Sequence, residues 1–148
     1  MIAVLQRVSS ASVSVDQSVV GKIEKGFLIL LGVCDQDEES DALFLAEKIS
    51  GFRVFADENQ NMNLSLKDVN GSVLVVSQFT LCGSWRKGSR PSFTHAADPA
   101  TGEKLYTFFV AALRQHNVPV EKGQFGAMME VQLVNDGPVT FVLDSKGK

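Results

Sequence analysis

Chemistry in this chain has to come from few residue types. There are two histidines, His95 and His116, and two cysteines, Cys34 and Cys82. No HExxH, GxSxG or P-loop pattern occurs, and no His, Cys or carboxylate cluster has a metal-ligand spacing. A histidine-based triad and a metal hydrolase are both poorly supplied, so no cofactor and no metal are expected. His116 falls at the end of a helical pattern, where an imidazolium suits the helix dipole. His95 lies in an irregular stretch and is the only histidine near a candidate site. Two other segments stand out for backbone chemistry. Ser77-Gln78-Phe79-Thr80-Leu81 puts two hydroxyls and an amide at the end of an apolar run. Strand ends commonly carry binding groups, although a polar strand terminus is the plainer reading of the composition alone. Asn135-Asp136-Gly137-Pro138-Val139-Thr140 lies between two apolar runs. Asn, Asp, Gly and Pro all favour a β-turn there, and a Gly-Pro bond adopts the cis form at modest cost.

These segments need elements to hold them. Ile2, Val4, Val13 and Val15 alternate at strand period. Asp16-Gln17-Ser18 is a turn candidate, and Val19 to Ile23 returns as a hairpin arm. Phe27 to Val33 is continuously apolar, as in a strand covered on both faces. Asp35 or Asp37 is expected to cap a helix whose buried face is Ala42, Leu45, Ala46 and Ile49, ending at Gly51. Phe52 to Phe55 reads as a short strand, residues 57–61 as a loop, and Ser72 to Phe79 as a second buried strand. Cys82 to Phe93 is irregular. Asp98-Pro99 opens a second helix with a cap followed by proline at its first position, and Leu105, Phe108, Phe109, Ala112 and Leu113 form its apolar stripe. Val118 to Glu121, Ala127 to Val134 and Val139 to Leu143 complete the strands. The order is β-β-β-α-β-β-α-β-β-β, a mixed α/β domain. Residues 145–148 are expected to fray.

Length and charge bound the function. The 148 residues suit one domain with a real core. The run from Phe27 to Cys34 is too short to span a bilayer, no secretory leader is visible, and the cytoplasm is the expected compartment. Two cysteines make no disulfide framework. Cys34, ending an apolar run, is expected as a buried thiol. A net charge of −3 argues against a nucleic-acid partner, but its distribution matters more. Acids crowd at Asp35, Asp37, Glu38, Glu39 and Asp41, whereas Val69 to Ala97 holds none and contains Arg86, Lys87 and Arg90. Charge alone favours a solvated loop for those three.

The two segments, with Arg90-Pro91-Ser92-Phe93 between them, resemble the D-aminoacyl-tRNA deacylase family, also called D-Tyr-tRNA(Tyr) deacylase. The resemblance begins at Gln6-Arg7-Val8 and Ala11-Ser12-Val13. It continues through Leu31-Gly32-Val33, Met62-Asn63-Leu64, Gly71 to Val76 and Phe125, and closes at Val139-Thr140-Phe141. Each motif is weak alone, but together they are specific. The resemblance implies a single domain of mixed, largely antiparallel sheets with two helices packed on them, working as a homodimer on the 3′ terminus of aminoacyl-tRNA. The implied reaction is hydrolysis of the ester of D-aminoacyl-tRNA, and of glycyl-tRNA, a proofreading activity away from any membrane.

It also implies roles. Gly137 and Pro138, joined by a cis bond, reach into the partner's active site, where their carbonyls hold the substrate amino group and leave no room for an L side chain. Ser77, Gln78, Phe79 and Thr80 form the catalytic wall: backbone N–H groups near Phe79 and Thr80 make the oxyanion hole, and Ser77 and Gln78 orient the ribose or the ester. Phe125, Met128 and Met129 line the pocket for the terminal adenine. The resemblance assigns nothing specific to residues 85–87; Arg86, Lys87 and Arg90, with Lys122, are candidates for tRNA phosphates by their charge, with a solvent-facing role the alternative for all but Arg90, which sits in a family-like segment. Thr80 has no base beside it in sequence, so the substrate's own 2′-hydroxyl is the better activator of water. Two other readings stand beside this one. The first is a related deacylase acting on L-alanyl esters, against which Phe79 and Asp136 match the D-specific pattern. The second is a non-catalytic tRNA-binding dimer, against which most aromatic residues lie on core stripes.

Overall fold

β1 (Ile2–Val15) is flanked on both sides along nearly its whole length. Its first half pairs antiparallel with β3 (Gly26–Gly32) and its second half with β2 (Ser18–Ile23). β8 (Glu130–Asp144) runs antiparallel along the other side, from Ile2↔Asp144 to Ser14↔Glu130. β3 pairs in parallel with β6 (Ser72–Ser77), and β6 in parallel with β7 (Val120–Lys122). The sheet order is β2-β1-β3-β6-β7, with β8 on β1. A small second sheet joins β4 (Phe55–Ala56) to β5 (Met62–Leu64). The two helices are α1 (Glu39–Ser50) and α2 (Pro99–Gln115). This computed structural model describes residues 1–147.

Two apolar clusters sandwich the central strands. Phe27, Ile29, Leu31, Val73 and Val75 face α1 and α2. Leu28, Leu74 and Val76 face the opposite way, against Val8, Ala11, Val13 and Ile23. That second face is covered because the sheet curls back on itself. At Gly21 in β2 a Cβ would fall 2.8 Å from the Lys122 carbonyl in β7, so only glycine permits the approach. The result is a nearly closed sheet, and the continuous apolar runs read from the sequence are strands buried on both faces.

The helix faces lie as their periodicity indicates. Ala42, Leu45, Ala46 and Ile49 are buried on α1, and Leu105, Phe109, Ala112 and Leu113 on α2, where Tyr106 is buried as well and the expected Phe108 is only partly covered. Asp98 caps α2 by accepting the Thr101 N–H at 3.0 Å, with Pro99 first in the helix. Several boundaries differ from the sequence reading. α1 is capped at Glu38, whose N–H donates to Asp41 Oδ2 at 2.8 Å. The expected cap Asp37 is committed elsewhere, accepting from the Met1 amine and from the Cys34 N–H. β5, Met62–Leu64, is a strand that no pattern in its sequence announces. The two last strands of the sequence reading are one strand, β8, and the Asn135–Thr140 segment does not reverse the chain.

Within the stretch 145–148 expected to fray, Ser145 and Lys146 carry side-chain contacts. Ser145 Oγ accepts from the Met1 amine at 2.7 Å, and Lys146 Nζ donates to Asp41 Oδ2 at 2.9 Å; Lys148 lies outside the described residues. Burial pushes the Asp41 carboxyl up, but hydrogen bonds from Lys146, the Glu38 N–H and Ser145 outweigh it and hold its pKa at about 2. The folded pKa lies below the ordinary value of 3.8. The contribution to stability is therefore present above that value and lost as pH falls toward 2. Lys146→Ala is expected to lower the urea midpoint at about pH 5, with the gap from wild type narrowing as the medium is acidified toward pH 2. A gap independent of pH would contradict the Asp41–Lys146 contact.

Candidate functional site

The parallel pairing of β3 and β6 runs out at Leu31↔Ser77, and the Gln78 N–H extends it by donating to the Leu31 carbonyl at 2.8 Å. The chain then tightens into a 3₁₀ turn, Phe79–Cys82. Its first closing bond is from the Leu81 N–H to the Gln78 carbonyl, 3.3 Å, and Gly83 follows with a 3.0 Å bond to Thr80. The amides of Phe79 and Thr80 precede the first closing bond and have no acceptor within the turn. Gly32 lets the turn rest directly on β3, since a Cβ there would lie 2.9 Å from Leu81 and 3.0 Å from the Gln78 carbonyl. Cys82, at the end of the turn, is bonded to Cys34, with Cα atoms 5.7 Å apart. This corrects the reading of Cys34 as a free buried thiol.

The turn forms one wall of a cavity of about 620 Å³. Ser77, Gln78 and Phe79 line it together with Phe125, Met128 and Met129, and α2 contributes Gly102 and Tyr106. The size suits a small organic ligand. Phe125 is seated against α2: a Cβ on Gly102 would lie 3.2 Å from its ring, and its centroid is 5.7 Å from that of Tyr106. The Tyr106 hydroxyl donates to the Val75 carbonyl at 2.8 Å. Burial pushes its pKa up to about 12, against the opposing pull of a backbone hydrogen bond from Gly123 and the charge of Arg114. It is a neutral, fixed hydroxyl and not an acid for chemistry at neutral pH. Met128 is 93% exposed and forms the rim.

Six residues expected in a site thus line one cavity: Ser77, Gln78, Phe79, Phe125, Met128 and Met129. The Thr80 side chain is turned to its neighbour Gln78. Its hydroxyl accepts a hydrogen bond from the Gln78 amide, and an amide cannot take its proton. Arg86, Lys87 and Arg90 are exposed on the loop beyond the turn. Lys122 is exposed at the end of β7.

Gly137 and Pro138 are also outside this cavity in their own chain, and both are exposed. The bond between them is cis. In the β1–β8 ladder Val8 faces Asn135 and Gln6 faces Thr140, so five steps on β8 oppose two on β1. The intervening residues are extruded from the ladder as a long bulge. Gly137 has φ +138°, and a Cβ there would meet the Val139 nitrogen at 2.9 Å. Two side chains that the sequence reading missed hold the bulge. Asn135 Nδ2 donates to the carbonyls of Arg7 and Val139, while its Oδ1 accepts the Val139 N–H. Arg7 Nε donates to the Asp136 carbonyl at 3.1 Å and its NH1 group to the Val54 carbonyl at 2.6 Å. An asparagine heading a Gly-Pro run is a usable signal for such a clamp. Arg7 offers none, because its partners lie far along the chain.

The family model for D-Tyr-tRNA(Tyr) deacylase matches residues 4–144. The chain belongs to this family. The D-aminoacyl-tRNA deacylase of Thermosipho africanus strain TCF52B is 57% identical over 146 residues, covering 99% of this chain and 98% of the relative. The D-aminoacyl-tRNA deacylase of Koribacter versatilis strain Ellin345 is 58% identical with the same coverage. Among solved structures, one described as the c-Myc DNA Unwinding Element Binding Protein superposes with a TM-score of 0.90 at 37% identity, covering 97% of this chain and 98% of its own. A probable eukaryotic D-amino acid tRNA deacylase superposes with a TM-score of 0.82 at 16% identity, over 96% of this chain and 97% of its own, and so shares the fold.

Asn135→Ala leaves two carbonyls and one N–H of the bulge without their partner. It is expected to destabilise the protein by about 1–3 kcal/mol, the usual penalty for unsatisfied buried groups. Urea denaturation checks this, and an unchanged midpoint would contradict the clamp.

Proposed function

We infer that the protein is a D-aminoacyl-tRNA deacylase, a hydrolase that cleaves the ester between a D-amino acid and the terminal ribose of tRNA. The observation that carries this is the match along residues 4–144, with relatives of that name at 57% and 58% identity over almost the whole chain. The cavity geometry supports a definite division of labour. The terminal adenosine enters the cavity against Phe125, with Met129 and the rim residue Met128 beside it. Ser77 and Gln78 orient the ribose and the ester. The amides of Phe79 and Thr80, free of acceptors in the turn, point to stabilisation of the oxyanion.

Water supplies the nucleophile. Its oxygen adds to the ester carbonyl as its proton passes to the ribose 2′-oxygen, which gives up its own proton to the departing 3′-oxygen. The tetrahedral oxyanion collapses as the bond to the 3′-oxygen breaks. The products are a free amino acid and tRNA. Thr80 acts through its backbone, since its hydroxyl has only the Gln78 amide beside it. Positioning and electrostatics suffice because the ester is an activated bond.

The chirality filter needs a second copy. Gly137 and Pro138 are exposed and lie away from the cavity of their own chain, so we assign them to the partner's cavity in a homodimer. β8 carries exposed Leu133, Val134 and Val142, and exposed apolar residues on a long edge strand favour pairing with another chain. Backbone carbonyls of the bulge hold the amino group and exclude an L substituent. A glycyl ester has nothing to exclude and is cleaved as well. Arg86, Lys87 and Arg90 are assigned to phosphates of the tRNA end. We place the activity in the cytoplasm. Among the described residues no helix is long and apolar enough to cross a membrane.

Side-by-side deacylation of D-Tyr-tRNA, L-Tyr-tRNA and Gly-tRNA, with EDTA present, tests the reading. Cleavage of the D-Tyr and Gly esters with L-Tyr spared is expected. Binding of tRNA without turnover of any ester would favour a non-catalytic tRNA-binding dimer. Thr80→Ala is expected to keep kcat within about tenfold of wild type, whereas losing an oxyanion donor typically costs about 10²–10³. A loss of that larger size in a folded variant would make the hydroxyl catalytic.

A further inference from the structure

The cavity accounts for the terminal nucleoside, and the loop beside it has chemistry suited to what precedes that nucleoside. Residues 84–92 leave the 3₁₀ turn that walls the cavity and return into Phe93, which lines the same cavity. Ser84 and Ser92 close the loop by exchanging both backbone hydrogen bonds, at 2.8 and 2.9 Å. Phe93 in turn stacks edge-on against Phe79, with centroids 5.1 Å apart. The loop is therefore anchored to the cavity wall at both ends.

Trp85, the only tryptophan in the chain, stands on this loop and is 73% exposed, against 57% for Phe79 and 37% for Phe93. Its recorded ring contact is the Arg86 guanidinium, 5.4 Å from the ring. The rest of the loop is polar: Lys87, Gly88, Ser89 and Arg90. A flat indole among three cations, with no acid between Val69 and Ala97, suits a base and its phosphates better than an apolar protein surface. Extended chain from Cys82 to Trp85 covers about 10 Å, which puts the ring one short step from the end of the turn.

We propose that Trp85 is a stacking platform for an unpaired base next to the esterified terminal nucleoside, with Arg86, Lys87 and Arg90 taking the intervening phosphates. The proposal rests on the reading that the cavity holds that nucleoside. It makes the loop a reader of single-stranded RNA, and an acidic protein thereby acquires a local nucleic-acid surface without a basic face. Binding through so few phosphates should depend only mildly on salt.

The single tryptophan makes the test direct. The full-length protein is titrated with an unpaired tetraribonucleotide ending in adenosine, and separately with a blunt RNA duplex, while indole emission is followed. Saturable quenching by the single strand, with little from the duplex, is expected. With D-Tyr-tRNA, Trp85→Ala is expected to raise KM by about fivefold to a hundredfold with kcat little changed, the range given by loss of one stacked base. Trp85→Phe, which keeps a ring, is expected to recover most of the affinity. Emission indifferent to RNA, or an unchanged KM for Trp85→Ala, overturns the proposal. Emission that responds to dilution of the protein and not to RNA also overturns it, marking the ring as covered by a second copy. If wild type turns over no ester, the functional reading fails, and the quenching arm still decides the role of Trp85.

Discussion

β3 and β6 pair in parallel through strands buried on both faces, and that pairing fixes the level at which both strands stop. Val73 and Val75 pack toward the helices, Leu74 and Val76 toward the curled sheet, and all four are at most 2% exposed. Each such side chain is worth roughly 1.5–3 kcal/mol when buried. A slip of one residue would reverse the faces and carry the 3₁₀ turn about 3.3 Å along the strand. The register therefore places the Phe79 and Thr80 amides, and through them the cavity wall. The Cys34–Cys82 contact and the glycine at position 32 hold the turn down on β3 from the same side.

A second constraint acts at the other end of the chain. β8 follows β1 for nearly its whole length, yet between Asn135 and Thr140 it releases a bulge. The ladder on each side keeps the bulge rigid, and Asn135 and Arg7 satisfy its backbone from within. A filter that works by exclusion needs this stiffness, because a yielding backbone would admit the substituent it is meant to reject. The cavity wall and the exposed bulge are thus two rigid backbone devices. The proposed mechanism asks little of side-chain acid–base groups in either, in keeping with a chain that has two histidines.

The parts of this arrangement visible in the sequence are those written locally. Asp98-Pro99 announced α2, and the periodicity of Leu105, Phe109, Ala112 and Leu113 gave its buried face. The run Val73 to Val76 ending at Ser77-Gln78 marked a buried strand with a polar end, and the absence of a base beside Thr80 matches its single amide contact. What was misread depends on distant partners. Asp37 could not be seen to belong to the Met1 amine rather than to the α1 cap. The Asn135–Thr140 segment looks like a turn until β1 is laid beside it. Cys34 and Cys82 are 48 residues apart, and nothing in either neighbourhood names the other. The roles proposed for Phe125, Gly137 and Pro138 rest on family resemblance, since a lone phenylalanine and a Gly-Pro pair have no chemistry that singles them out.

The claim on which all of this turns is that backbone amides of the 3₁₀ turn, and not side chains, receive the ester carbonyl. A crystal structure with a non-hydrolysable, amide-linked D-tyrosyl adenosine tests it most directly. The expected result is a carbonyl oxygen within about 3 Å of the Phe79 and Thr80 nitrogens, with the adenine against Phe125. A carbonyl turned toward the Thr80 hydroxyl, or bound away from the turn altogether, would contradict it.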